Sequence, residues 1–305
     1  MEGVAVIGRV GSHQMVRNFL AGMDDNNVRV AEVQRQLTTG KRVNNPADDP
    51  VGLGLALGIR HDLDAVRAWS QNIADSRSWL SATDSALGNH LEILQRAHEL
   101  SVQGANGSLS AEARSMIATE MRALRDQVAE TGNASLGGRY LFGGTRTDRA
   151  PFDLTVPGTV APVDTGLLNR EVGQGQVMSV NVTADRVLGP GGGTPDVFQT
   201  LTEIADALDA GDLNAVGRTG LDRLDAHMDN INSLRGEVAA KINRVELTSS
   251  RFAIDDIARQ DQLAQIEDTD MAQAIMELRT RENVLQASLA VGARVIQPSL
   301  VDFLR

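Results

Sequence analysis

The sequence predicts a mainly α-helical chain with a β-rich insertion: a long, coiled-coil-like helical bundle whose N- and C-termini pair at one end. Three observations carry this. Apolar residues recur at seven-residue spacing over long stretches on both sides of the centre, as a supercoiling helix requires. Aromatic residues make up only 3% of the chain and cysteine is absent, so the core must be built from Leu, Ile, Val, Met and Ala, which helices pack readily. Between the two helical halves lies a stretch rich in Gly, Pro, Thr and Val.

Taken in order, the first helix carries Met15, Phe19, Met23, Asn26, Val30, Val33 and Leu37 at steps of three and four. It stops within "LTTGKRVNNPADDPVGLG", residues 37–54. Gly40 stands where a left-handed C-cap would be needed. Asp49 and Pro50 read as an N-cap and first helical position, because proline has no N–H to lose and its φ already suits a helix. The polar residues between, among them Asn45 and Pro46, are too few for a domain. From Pro50 the stripe Ile59, Val66, Ile73, Leu80, Leu87, Leu94 predicts a helix to about residue 104, ending at "QGANGSLS". Ser110 with Glu112 opens a shorter helix to about Thr131.

The middle, roughly 139–197, changes character. "RYLFGGTRTDRAPFDLTVPGTVAPVDTG" and "GQGQVMSVNVTADRVLGPGGGTPD" read as short strands separated by turns. The C-terminal half then returns to helix with Leu221, Leu224, Met228, Ile231, Val238, Ile242, Val245 and Phe252, interrupted by Arg235 and Ser249. A final run has Met271, Ile275, Leu278, Glu282, Leu285, Leu289, Gly292 and Ile296. The stripes of the central helices read equally well as the core of one bundle.

A length of 305 residues suits about two ordinary domains. The net charge of -11 argues against nucleic acid as a partner, since phosphate binding needs a basic surface. Without cysteine there are no disulfides, zinc-thiolate sites or thiol nucleophiles. The opening "MEGVAVIGRVGSHQMVRNFL" has no basic n-region, long apolar run or A-x-A site. Nothing approaches the roughly 18 apolar residues of a membrane span, so no membrane insertion is expected. These signals read as cytoplasmic, or as exported by a route that cleaves no signal. The histidines, His13, His61, His90, His98 and His227, form no H-E-x-x-H or similar metal pair. "GPGGGTPD" lacks phosphate-loop geometry, and no G-x-S-x-G elbow occurs. No catalytic, cofactor-binding or metal site is expected, and the chain does not read as an enzyme.

Several segments resemble the flagellin superfamily. "LTTGKRVNNPADDPVGL" and "LQRAHELSVQGANGSLSAEAR" resemble successive blocks that begin with its first helical break. "GRYLFGGTRTDRAPF" resembles the hook-associated protein 3 branch rather than filament flagellin, as does "DTDMAQAIMELRTRENVLQASLAVGARVIQPSLVDFL". The resemblance covers about residues 13–150 and 198–304, with "NREVGQGQVMSVNV" a looser match between them. Pro298 and the N-terminal residues 1–12 depart from the pattern.

The resemblance implies a tube-forming subunit of flagellin type that joins hook to filament. Terminal assembly helices (1–46 with 266–305) would line the inside of the tube. A helical rod (47–138 with 198–265) would form an outer layer, and the insertion (139–197) would point away from the axis. The assembly interface would be Met15, Phe19, Met23, Val30, Val33 and Leu37 with Met271, Ile275, Leu278, Leu285, Leu289 and Ile296. Gly40, Asn45, Pro46, Asp49 and Pro50 would form the spoke between layers. The implied partners are copies of the chain in a ring, a neighbouring hook-associated junction protein, flagellin, and an export chaperone holding the C-terminal helix. Location on the flagellum without a cleaved signal peptide is implied as well. A filament-forming flagellin is the alternative, or a flagellin-like surface protein that binds a ligand through its insertion; few aromatics there disfavour sugar stacking. The terminal seams are expected to lack partners within one chain, leaving Leu278, Leu285 and Leu289 exposed together. Deleting residues 151–193 is expected to leave assembly largely intact.

Overall fold

The computed structural model describes residues 4–152, 164–189 and 195–296. Seven α-helices are found among them: α1 Val4–Thr39, α2 Pro50–Gly104, α3 Ala111–Gly132, α4 Ala184–Leu188, α5 Val197–Ala210, α6 Leu221–Glu267 and α7 Met271–Ile296. A π-helical segment, Ala215–Gly220, leads into α6. The strands are β1 Ser135–Leu136 paired antiparallel with β2 Arg139–Tyr140, and β3 Asn169–Gly173 paired antiparallel with β4 Gln176–Ser179. The fold is mainly α with a small β insertion.

The chain divides into two units, one from Ala65 to Asp255, the other of the described residues up to Asp64 and from Asp256 onward. The expected divisions were after residues 46 and 265. The difference has a physical cause in the terminal unit. The first turns of α2 and the last turns of α6 are tied to the polar break: Arg60 and Lys41 both reach Glu267, and Arg259 pairs with Asp62. Packing therefore divides the chain inside the long helices and not at their ends.

In the unit 65–255, α2 buries Val66, Ile73, Leu80, Leu87 and Leu94, one residue in every seven. The seam of α6 answers with Leu224, Ile231, Val238, Val245 and Phe252 at the same spacing. Each such side chain contributes about 1.5–3 kcal/mol on burial. Arg235 interrupts the apolar seam of α6, and its guanidinium donates to Asp84 on α2 at 3.0 Å, a polar pair that fixes the register of the two helices. Ser110 caps α3, accepting from Ala113 N at 3.2 Å. Helices α4 and α5 were not separately legible in the sequence. Asp196 caps α5, which buries Phe198, Leu201, Ile204 and Leu208.

The insertion is not an appendage. Leu141, Phe142, Phe152, Val172, Met178, Val180, Val182 and Val187 belong to the same hydrophobic core as the α2 and α6 stripes. This differs from the expectation that 139–197 forms a separate outer piece. The strands are too short to bury a core of their own, so their apolar faces pack on the helices. Residues 153–163 and 190–194 of that stretch lie outside the described residues.

Candidate assembly interface

Helices α1 and α7 pack side by side, antiparallel. A Cβ on Gly292 would lie 2.5 Å from Phe19 Cζ. Asn26 Nδ2 donates to the Arg281 carbonyl at 3.3 Å. Lys41 bridges Asp268 at the end of the pair. Val33 and Asn26 of α1 are buried, and Phe19, Met23, Val30 and Leu37 are half-buried. The positions of α7 that lose exposure are Ala274, Leu278, Arg281, Leu285, Ser288 and Gly292, again at steps of four and three.

The expected α7 stripe is thereby corrected. Leu278 and Leu285 are half-buried, while Met271, Ile275 and Leu289 are exposed along the flank, so the three leucines are not left open together. Bulky α1 residues need small ones opposite: the Phe19 ring rests where Gly292, a member of the α7 run absent from the expected interface, leaves room. The terminal helices pair with each other, as the expected fold has it, and so the two seams do not lack a partner within the chain. The side chains of Met15 and Ile296, with Pro298 and residues 1–3, lie outside the described residues.

The pairing covers one side of α7 only. Leu289 is 52% exposed on one flank, Val284 at 47% and Val291 at 56% on the other, and Met276 at 63% on the far side. Val51, Leu55 and Leu57 on α2, and Ile257 on α6, are exposed in the same unit. A helix apolar on every side is stable in water only when other surfaces cover it.

The break between α1 and α2 is closely held. Gly40 has φ +71°, a left-handed conformation strained for any residue with a Cβ, and its N–H donates to Gln36 O at 2.8 Å. The Asp48 carboxylate accepts from the N–H groups of Asn45 at 2.8 Å and Asn44 at 3.0 Å. Those two bonds, with Arg35 nearby, hold its pKa below the usual range. Asp49 caps α2 by accepting from Gly52 N at 2.8 Å, Pro50 is the first helical residue, and Pro46 is exposed.

The return break, between α6 and α7, lies alongside. Arg42 N donates to Glu267 O at 2.6 Å and Thr269 N to Gly40 O at 2.9 Å. Asp270 caps α7 through Ala272 N at 2.9 Å. Glu267 is buried, and its Oε2 accepts from Arg60 at 2.7 Å and Lys41 at 2.8 Å. Burial pulls its pKa up, but the two cations together outweigh that and leave it lowered. Sequence reasoning missed this knot. Its members lie more than 200 positions apart, and no local pattern marks Glu267 among the acidic residues.

Among the described residues no group of three or more His, Asp or Glu side chains could hold a metal ion, and no helix is long and apolar enough to cross a membrane. A unit of paired terminal helices with polar breaks at their ends and uncovered apolar flanks is the geometry of a subunit built for assembly.

Comparison with known proteins agrees with that class. The family model of the bacterial flagellin N-terminal helical region matches residues 10–147, and that of the C-terminal helical region matches 221–304. The chain belongs to the flagellin superfamily of flagellar structural proteins. Within it, the chain is similar both to hook-associated protein 3 and, at 27% identity over 89% of this chain and 90% of that one, to the flagellin of Listeria innocua. It is 25% identical to flagellar hook-associated protein 3 of Escherichia coli, over 92% of this chain and 94% of that one. It is 32% identical to the Salmonella typhimurium protein of the same name, over a segment spanning 49% of this chain and 48% of that one. The flagellar junction protein FlgL of Legionella pneumophila shares the fold, with a TM-score of 0.57 at 17% identity over 72% of this chain and all of that one.

Proposed function

We propose that this chain is the junction subunit that connects the flagellar hook to the flagellin filament, working by assembly and not by catalysis. The observation that carries the reading is the near full-length match to a hook-associated protein 3, backed by uncovered apolar flanks on the α1–α7 pair. Copies of the chain would form a ring through the terminal helices. A neighbouring hook-associated protein would lie beneath it and flagellin above. Before export, a chaperone would cover the open flanks of α7, and the chain would leave by the flagellar export channel without a cleaved signal. In the assembled tube, 1–46 with 266–305 would form the inner layer and Gly40, Asn45, Pro46, Asp49 and Pro50 the spoke outward.

Immunogold labelling of isolated flagella tests this. A single band at the hook–filament boundary is expected. A filament-forming flagellin is the second reading, favoured by the description of both matching families as flagellin regions. Label along the whole filament would select it and overturn the junction reading.

A further inference from the structure

In the unit 65–255, a recess of about 270 Å³ opens between α2 and the two hairpins, bordered by Asp75, Trp79, Leu136, Arg139, Leu168 and Arg170. Trp79 is buried, and its indole Nε1 has no acceptor. The Arg139 guanidinium stacks 5.1 Å from the centroid of the Trp79 ring, with its Nε bound to Thr147 Oγ1 at 3.3 Å. Among the described residues the Arg170 side chain has no ion pair or hydrogen bond, and Asp75 on the rim pairs with neither arginine. With Arg139 and Arg170 against Asp75, the recess carries one excess positive charge on a chain of net charge -11. It suits a carboxylate, which guanidinium groups bind in a forked geometry, while Leu136 and Leu168 contact the carbon stem.

The same unit carries the complementary surface. Asp222, Asp225 and Asp229 are exposed on α6 at steps of three and four, which places them on one face. Asp225 lies 3.4 Å from His98 on α2, so this stripe is level with the far part of that helix. From Trp79 to His98 is roughly 28 Å along the axis at 1.5 Å per residue. The recess cannot take its own chain's stripe. Two complementary surfaces at different places on one subunit make a head-to-tail contact, the kind that closes into rings.

We infer that the Arg139–Arg170 recess of one copy receives the Asp222–Asp229 stripe of a second copy. This rests on the reading of the chain as a ring-forming subunit, and it names one contact of that ring. Charge complementarity of this kind fixes partner and register.

A photo-crosslinking amino acid at the exposed rim position Leu136, in cells that assemble flagella, tests it. Mass spectrometry of the isolated flagella should find Leu136 joined to the peptide containing 222–229 of the same protein. Arg170→Glu should reduce that product at least fivefold, and Arg170→Glu with Asp229→Arg should restore it. Asp222→Arg with Asp229→Arg, on an exposed helix face, gives the same loss without touching the recess. A product with flagellin, a product with another segment of this chain, or no product in properly assembled flagella would overturn the inference. Label confined to the boundary with a product elsewhere leaves the junction reading standing. Label along the filament with the 222–229 product reverses that outcome.

Discussion

At the scale of single residues, two buried ionisable groups both make the molecule lose stability in acid, over different pH ranges. Glu267 has a lowered pKa, because Lys41 and Arg60 outweigh the effect of burial. Its contribution to stability is present above the ordinary glutamate value of 4.5 and is lost as pH falls through the folded-state value. Both cations are partly exposed, so Glu267→Gln should cost about 1–2 kcal/mol at neutral pH. The measurement is amide hydrogen exchange, with faster exchange expected around residues 40–44 and 266–272 and convergence with the parent protein in acid. No change at neutral pH would remove Glu267 from the account of the spoke. His90 is buried on α2 with Nε2 unpaired, and burial, reinforced by the charge of His227, pushes its pKa down to about 4. An unfolded histidine binds protons below about 6.5. Stability is therefore fully present above that pH and declines as pH falls from there to about 4. The His90 share of the loss between pH 7.5 and 5 is about 2 kcal/mol. Urea unfolding at the two pH values should show it, and His90→Leu should flatten the slope by that amount.

At the scale of elements, the segment 138–152 explains why the insertion folds with the rod. Gly144 has φ +64°, and a Cβ there would lie 2.1 Å from the Asp164 carbonyl. The Asp164 carboxylate accepts from the backbone of Thr145 at 3.0 Å and Arg146 at 3.1 Å, and from the Thr145 hydroxyl. Asn133, just past α3, donates to Phe152 O at 2.9 Å and accepts from Phe152 N at 3.0 Å. Gly144→Ala should therefore cost about 1–3 kcal/mol of global stability. Deleting 151–193 removes Phe152, Val172, Met178, Val180, Val182 and Val187 from the core and should leave a chain that does not unfold cooperatively. A sharp thermal transition in the deleted protein would restore the view of a separate outer piece. The helices were legible because the Val66–Leu94 and Leu224–Phe252 stripes repeat every seven residues, a signal that needs no knowledge of partners. What sat on the other side of each stripe was not legible. The insertion's alternating Val180 and Val182 mark a buried face equally well whether it packs on its own sheet or on α2. The α7 seam was misread for the same reason: Gly292 is an interface residue only because Phe19 comes from the far end of the chain.

At the scale of the whole molecule, the question is which apolar surface belongs to the subunit and which to the assembly, and α7 separates the two. Ala274, Leu278, Arg281, Leu285, Ser288 and Gly292 lose exposure in the α1–α7 pair; Ile275 and Leu289 stay open beside it. Leu285 is a poor probe, since replacing it also damages the pair. Ile275→Asp with Leu289→Asp touches the open flank alone. In the isolated subunit this double variant should melt within a few degrees of the parent, because each side chain already stands about half open to water there and neither lies in the α1–α7 seam. In the assembly each would need to be covered by a neighbour. Covering the exposed half of such a side chain contributes about 1 kcal/mol, and a buried, unpaired carboxylate in its place adds a desolvation cost of several kcal/mol. The cost recurs at each copy, so filament growth in cells lacking the parent protein should not be rescued. Two outcomes would refute the division. A markedly lowered melting temperature would assign the flank to the subunit's own packing, and normal filament growth would remove it from the interface altogether.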